Sequence, residues 1–154
     1  VQTIKVSTAE EMYNSVHQYF DKIDVAILSA AVADYKPVNK YLSKIKKSSG
    51  SLNLELEETR DILASLGKLK NKQFLIGFAL ETNNEIENAK LKIKSKNLDF
   101  IVMNSLNDKG AGFGNTTNKI TIIDKDFNQI AFPLKNKEDV ADDIINELIK
   151  KIDV

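Results

Sequence analysis

Several short stretches carry side chains suited to anionic groups. Asp34 follows the small-residue run Ser29-Ala30-Ala31-Val32-Ala33. Small residues let a ligand come close to the backbone, and an Asp there can receive a ribose hydroxyl or a metal held by phosphates. Ordinary turn chemistry is the other reading of Asp34. Lys44, Lys46 and Lys47 cluster in a polar loop with Lys36 and Lys40 nearby. Their ammonium groups suit phosphates, while a solvated basic loop is the plainer reading of such a charge run. Lys92 and Lys96 lie four apart, as do Lys90 and Lys94, so each pair shares one helical face. Such a face reaches a phosphate tail or simply meets water. Gly77 inside an apolar run marks a close backbone approach. Phe78 beside it reads as a base-stacking ring or as core. Gly110-Ala111-Gly112 has GxG spacing but no strand before it and no helix after it, so it fails as a dinucleotide fingerprint and reads as a mobile loop. His17 reads as structural or surface, and Glu55 and Glu57 as the wet face of a strand.

Alternating elements must position these residues. Thr3–Val6 is β-rich. Ser7-Thr8-Ala9-Glu10-Glu11 then carries a helix-start signature, and Met12, Val16, Tyr19 and Phe20 recur at helical spacing up to about Asp21-Lys22. Ile23–Ala33, Gln73–Leu80 and Leu98–Met103 are apolar runs of the kind found in strands buried on both faces. Leu52–Glu57 alternates strictly, which predicts a half-exposed strand. Helices are predicted from Thr59 or Arg60, from Asn83 or Asn84, and from Glu138-Asp139. Ile120–Ile123 and Gln129–Phe132 predict a β-hairpin. Strand–helix alternation is the signature of βαβ units. The fold expected is α/β: a Rossmann-like, open, mostly parallel sheet flanked by helices, with a C-terminal β-hairpin extension. Ligands of such sheets bind beyond the carboxyl ends of the strands, which selects the segments after the three apolar runs.

Composition narrows the classes. The chain has 154 residues, enough for one domain. Lys plus Arg and Asp plus Glu are both 22, and this zero net charge argues against a dedicated nucleic-acid binder. No apolar run has the roughly 18 residues of a membrane helix. The opening Val1-Gln2-Thr3-Ile4-Lys5 has no signal-peptide pattern. Cysteine is absent, which excludes disulfides, thiolate metal sites and a cysteine nucleophile, and fits a cytoplasmic location. The single histidine, His17, leaves no histidine-rich metal site.

The order AAVADY (30–35), KIKK (44–47), GFALETNN (77–84) and KNLDFIVMNS (96–105), then Phe113 and Asn118 before a strand, resembles the phosphopantothenate–cysteine ligase family over nearly the whole chain. In bacteria that domain is usually the C-terminal half of a bifunctional coenzyme A biosynthesis protein. The resemblance implies a reaction. CTP activates the carboxylate of 4′-phosphopantothenate as an acyl-cytidylate and releases pyrophosphate; the amine of cysteine then forms the amide and CMP leaves. It implies Mg²⁺, a cytoplasmic homodimer whose partner helps cover the site through the hairpin region, and no nucleic-acid or membrane partner. Position by position it implies that Ala30 and its neighbours line the nucleotide site. Asp34, Asp61, Ile62 and Phe78 contact the nucleotide, as do Lys92 and Lys96. Lys44 contacts CTP and is needed for turnover, while Lys46 and Lys47 belong to a flap.

Two departures bear on this. Many members carry Asn-Pro-Asp-Ile where this chain has Thr59-Arg60-Asp61-Ile62, which leaves ATP open beside CTP. The family's first βαβ unit, with its Gly-rich phosphate loop, has no counterpart here. Residues 1–154 therefore read as a single domain, the C-terminal two-thirds of a ligase domain lacking that unit. A non-catalytic nucleotide-binding or assembly module is the alternative. An NAD-dependent oxidoreductase is weaker, for want of a fingerprint.

Overall fold

The structure is a computed structural model, and it describes residues 1–39, 41, 43–46, 50–108, 110, 111 and 114–152. Of the residues singled out above, Lys40, Lys47, Gly112 and Phe113 lie outside the described residues.

Helix α1 spans Ala9–Phe20. The Thr8 hydroxyl accepts from the Glu11 N–H at 3.1 Å, and the Glu11 carboxylate accepts from the Ser7 N–H at 2.7 Å. This reciprocal cap is what the hydroxyl-then-acid sequence predicts. Strand β1 is Val25–Leu28, shorter than the predicted run Ile23–Ala33. Its last ladder pair is Leu28 with Gly77, and the chain leaves the sheet at Ser29. The small side chains that follow bury little apolar area in a ladder and line cavities instead.

Strands β2 (Tyr35–Pro37) and β3 (Leu56–Glu58) form a separate antiparallel pair. The predicted strand Leu52–Glu57 shrinks to β3. Its alternation encodes no buried face: Leu52, Leu54 and Leu56 are all more than half exposed. Thr59 ties the pair to the 33–34 segment. Its hydroxyl donates to the Ala33 carbonyl at 2.6 Å, and its N–H donates to the Asp34 carbonyl at 2.8 Å. With Thr59 so used, Asp61 caps α2 (Ile62–Leu69), two residues later than the earliest predicted start.

Strand β4 (Phe74–Glu81), helix α3 (Glu85–Lys96) and strand β5 (Phe100–Ser105) match their predicted positions closely. Asn84 stands at the N-cap of α3 in a left-handed conformation and makes no side-chain cap bond. The short strand β6 (Thr117–Asn118) is followed by β7 (Thr121–Asp124) and β8 (Gln129–Ala131), which form the predicted hairpin. Then come β9 (Lys135–Asn136) and α4 (Lys137–Ile152). The main sheet runs β1-β4-β5-β7-β8; its first three strands are parallel and the hairpin joins antiparallel to β5. Asp124 fastens the hairpin turn to α4, accepting from the Asn128 N–H at 2.9 Å and from Lys151 Nζ at 3.0 Å.

The predicted strand Thr3–Val6 does not form. Strand β1 is the edge of the sheet, pairing among the described strands with β4 alone, and residues 3–6 do not join its free side. Ile4 and Val6 instead border an apolar groove with Val16, Tyr19 and Ile27.

Helices α1, α2 and α3 cover one face of the sheet around Leu66, Leu75, Ala79 and Ile93. Helix α4 covers the other around Ile76, Val102, Ile122 and Ile144. The contact of α2 with α3 is so close that a Cβ on Gly67 would stand 1.9 Å from the backbone carbonyl of Lys96. At Gly77 a Cβ would meet only the ends of the Leu63 and Leu98 side chains, which can rotate away. Gly67→Ala should therefore cost about 1–3 kcal/mol, the range of core overpacking. Gly77→Ala should cost less. Urea unfolding of both variants checks the order, and equal losses would contradict the packing described.

Candidate functional site

The parallel strands β1, β4 and β5 end on one edge of the sheet, and β4 carries the side chains that matter there. Leu75 and Ala79 face α1–α3, whereas Ile76 and Phe78 face α4. Glu81 continues the first series at the strand's last residue.

Two cavities flank this edge. One, of about 220 Å³, lies toward α2 and α3 and is lined by Ala30, Asp34, Asp61, Ile62, Phe78 and Lys96, with Arg60 among the rest. The other, of about 400 Å³, lies toward α4, and its walls include Ala31, Asn104, Asn118 and Lys137. Ala30 and Phe78 border both. The structure thus brings six of the sequence-predicted residues to the smaller cavity: Ala30, Asp34, Asp61, Ile62, Phe78 and Lys96. Lys92 stands one turn before Lys96 on α3. Lys44 and Lys46 are exposed on the loop between β2 and β3 and line neither cavity. Lys47, the other flap residue, lies outside the described residues.

Asp61 works twice. Its carboxylate accepts from the Ala64 N–H at 2.9 Å and so caps α2. It also meets Lys96 Nζ at 2.9 Å. Burial alone would push its pKa up; the Ala64 N–H and the Lys96 ammonium outweigh that and hold it below the usual carboxylate value. Arg60 is drawn to α1: its guanidinium pairs with Glu10 and lies over the Tyr13 ring at 3.7 Å, and Tyr13 stacks on His17 at 3.8 Å. His17 is thereby a structural residue, its Nε2 3.1 Å from the Ser65 hydroxyl.

Sequence reasoning missed Glu81. Its carboxylate is buried and meets Lys92 Nζ at 2.6 Å. The signal available was an acid ending an apolar strand inside GFALETNN, where an apolar or turn residue would be the plain choice. Asn104, which opens one of the segments selected for ligands, and Lys137, which was not singled out, both line the larger cavity. Among the described residues, no group of three or more His, Asp or Glu could hold a metal.

A sequence profile described as the DNA/pantothenate metabolism flavoprotein C-terminal domain matches residues 1–152. The chain belongs to this family. It is 52% identical over 150 residues to a protein named Cysteine/Cysteine sulfinic acid decarboxylase from an unknown prokaryotic organism, covering 97% of this chain and 42% of that protein. It is 42% identical over 145 residues to the Coenzyme A biosynthesis bifunctional protein CoaBC of Bacillus subtilis (strain 168), covering 94% of this chain and 36% of that one. The chain thus spans less than half the length of these curated relatives. The crystal structure of the C-terminal domain of a CoaBC protein superposes with a TM-score of 0.81 at 37% identity, covering 99% of this chain and 67% of that domain. In this member of the family, then, the cavity at the β1 and β4 ends is built on the family's own sheet.

The depressed pKa of Asp61 links the site to pH. A carboxylate more acidic in the folded than in the unfolded chain stabilises above its unfolded pKa, and that contribution disappears as pH falls through the folded value. Asp61→Asn should therefore make the loss of stability between about pH 5 and pH 3 shallower than in the parent, a window set by ordinary carboxylate titration. Denaturant midpoints across that range check it; parallel pH profiles would contradict the geometry.

Proposed function

We propose that this chain is the nucleotide-binding part of a ligase that joins 4′-phosphopantothenate to cysteine through an acyl-nucleotidylate. The observation that carries the reading is the smaller cavity. Six residues that the family resemblance assigns to the nucleotide, spread from Ala30 to Lys96, converge on that one space at the strand ends. Strand ends of an open parallel sheet are where such ligands bind.

The chemistry sets the demands. A carboxylate oxygen of 4′-phosphopantothenate attacks the α-phosphorus of CTP, and pyrophosphate departs. The amine of cysteine then attacks the acyl carbon, loses a proton and expels CMP. Two anions must meet in the first step, so cations have to offset their repulsion. Lys96 and Lys92 supply charge from α3, and Lys44 supplies it from the loop between β2 and β3. Phe78 offers a ring face to the base, and Asp34 an acceptor to the ribose. Mg²⁺ bound to the nucleotide would offset charge on its phosphates, and the protein would need few ligands of its own for it. Thr59 and Arg60 replace the Asn-Pro of many relatives. Both are engaged in contacts to the 33–34 segment and to α1, and ATP stays open beside CTP as the cosubstrate.

The protein is cytoplasmic and acts as a homodimer with the rest of its ligase domain in place. The 67% coverage of the solved domain supports the latter. The exposed Ile130 of the β7–β8 hairpin offers apolar surface to a second copy there. Among the described residues, no helix is long and apolar enough to cross a membrane.

Given its natural flanking sequence, Mg²⁺ and 4′-phosphopantothenate, the protein should release pyrophosphate from CTP or ATP. Lys44→Ala should lower that rate by roughly 100-fold, the scale of removing one group that stabilises transition-state charge. A pyrophosphate assay decides. Nucleotide binding without release would leave a binding module, and undiminished turnover in the variant would remove Lys44 from the mechanism.

A further inference from the structure

Asn88, Lys92 and Lys96 recur every four residues on α3, so one face presents all three. Two carboxylates lie beneath that face, and they differ in kind. Asp61 pairs with Lys96 at 2.9 Å, is about half exposed, and has a second duty as the cap of α2. Glu81 has no such duty. It ends β4 with its side chain 11% exposed, accepts from Lys92 Nζ at 2.6 Å, and accepts from Asn88 Nδ2 at 3.2 Å.

A buried carboxylate is costly unless it is paired, and pairing seldom recovers the whole cost. Packing alone would be served by an apolar side chain, as at Leu75 and Ala79 on the same side of β4. What the acid adds is control over one ammonium group. Lys92 is 40% exposed, and without a partner its long chain would sample water rather than the strand end.

We propose that Glu81 is the positioning residue for Lys92: it holds the ammonium at the end of β4 and yields it to an anionic polyphosphate. This rests on the reading of the site as a nucleotide site. In the chain as it stands the pair is neutral. When a polyphosphate arrives, Lys92 turns one or more of its three donors from the carboxylate to phosphate oxygen. Asn88 still donates to Glu81, so the acid keeps a partner. Glu81 therefore keeps Lys92 in reach and also competes with the ligand for it.

That competition gives a signature that packing alone does not. Titration calorimetry on the protein with its natural flanking sequence would use three probes, MgCTP, MgATP and inorganic triphosphate. Glu81→Gln keeps the shape and the acceptor oxygen but removes the charge. It should tighten triphosphate binding three- to tenfold. Lys92→Met should weaken it about tenfold. With Lys92→Met already present, Glu81→Gln should change binding by less than twofold. Glu81→Asp, which draws the carboxylate back by one methylene, should tighten binding by a smaller factor and serves if the Gln variant does not fold. Unchanged or weaker binding in the Glu81 variants overturns the proposal, as does equal tightening with and without Lys92. A parent protein that binds MgCTP and MgATP not at all overturns the nucleotide reading together with this inference. A parent that binds, with no tightening in the variants, overturns this inference alone.

Discussion

Strand β4 is hydrogen-bonded in parallel to β1 on one side and to β5 on the other, and the site depends on that register. Leu28 pairs with Gly77 and Glu81 with Ser105, so β4 runs four residues past the last pair it makes with β1. Phe78 and Glu81 fall in that overhang. Phe78 stands where β1 has already turned away into small residues, which opens space on both sides of its ring. Shifting β4 by one residue would send Phe78 toward α3 and Glu81 into the apolar layer under α4. The burial of Leu75 and Ile76 on opposite faces, each without exposed surface, makes that shift costly.

Electrostatics at this edge follow from the same geometry. Lys92 and Lys96 each meet a carboxylate carried by a neighbouring element, Glu81 from β4 and Asp61 from the start of α2. Neither pair belongs to its helix alone, so both tie α3 to the rest of the sheet edge. A site that collects cations for an anionic ligand must hold them before that ligand arrives. Carboxylates partly shielded from water hold them in place and leave little net charge.

Much of the fold is legible in the sequence because it is local. Helix periodicity, the Thr8 cap and the apolar runs of β4 and β5 each lie within a dozen residues. The errors have non-local causes. The Leu52–Glu57 alternation looks like a strand with one buried face, yet within the described residues nothing covers its leucines. Thr3–Val6 has strand composition but forms no ladder, although β1 stands at the edge of the sheet. Residues 29–33 are apolar enough to extend β1, and only the missing ladder shows that they line a cavity. The site divides in the same way. The order of Asp34, Asp61, Phe78 and Lys96 along the chain is legible through family resemblance, because sequence keeps order. The pairing of Lys92 with Glu81 is not, since it depends on which face of β4 meets α3.

We propose that the cavity bounded by Asp34, Asp61, Phe78 and Lys96 takes the nucleotide. Amide chemical-shift mapping on the isotopically labelled protein, titrated with MgCTP and with MgATP, tests it most directly. A nucleotide seated there should give the largest shifts on the backbone amides of Asp34, Asp61, Ile62 and Phe78 and on the α3 residues from Asn88 to Lys96. Shifts concentrated instead around Lys137 and Asn118, in the larger cavity toward α4, would contradict it, and so would no shifts with either nucleotide.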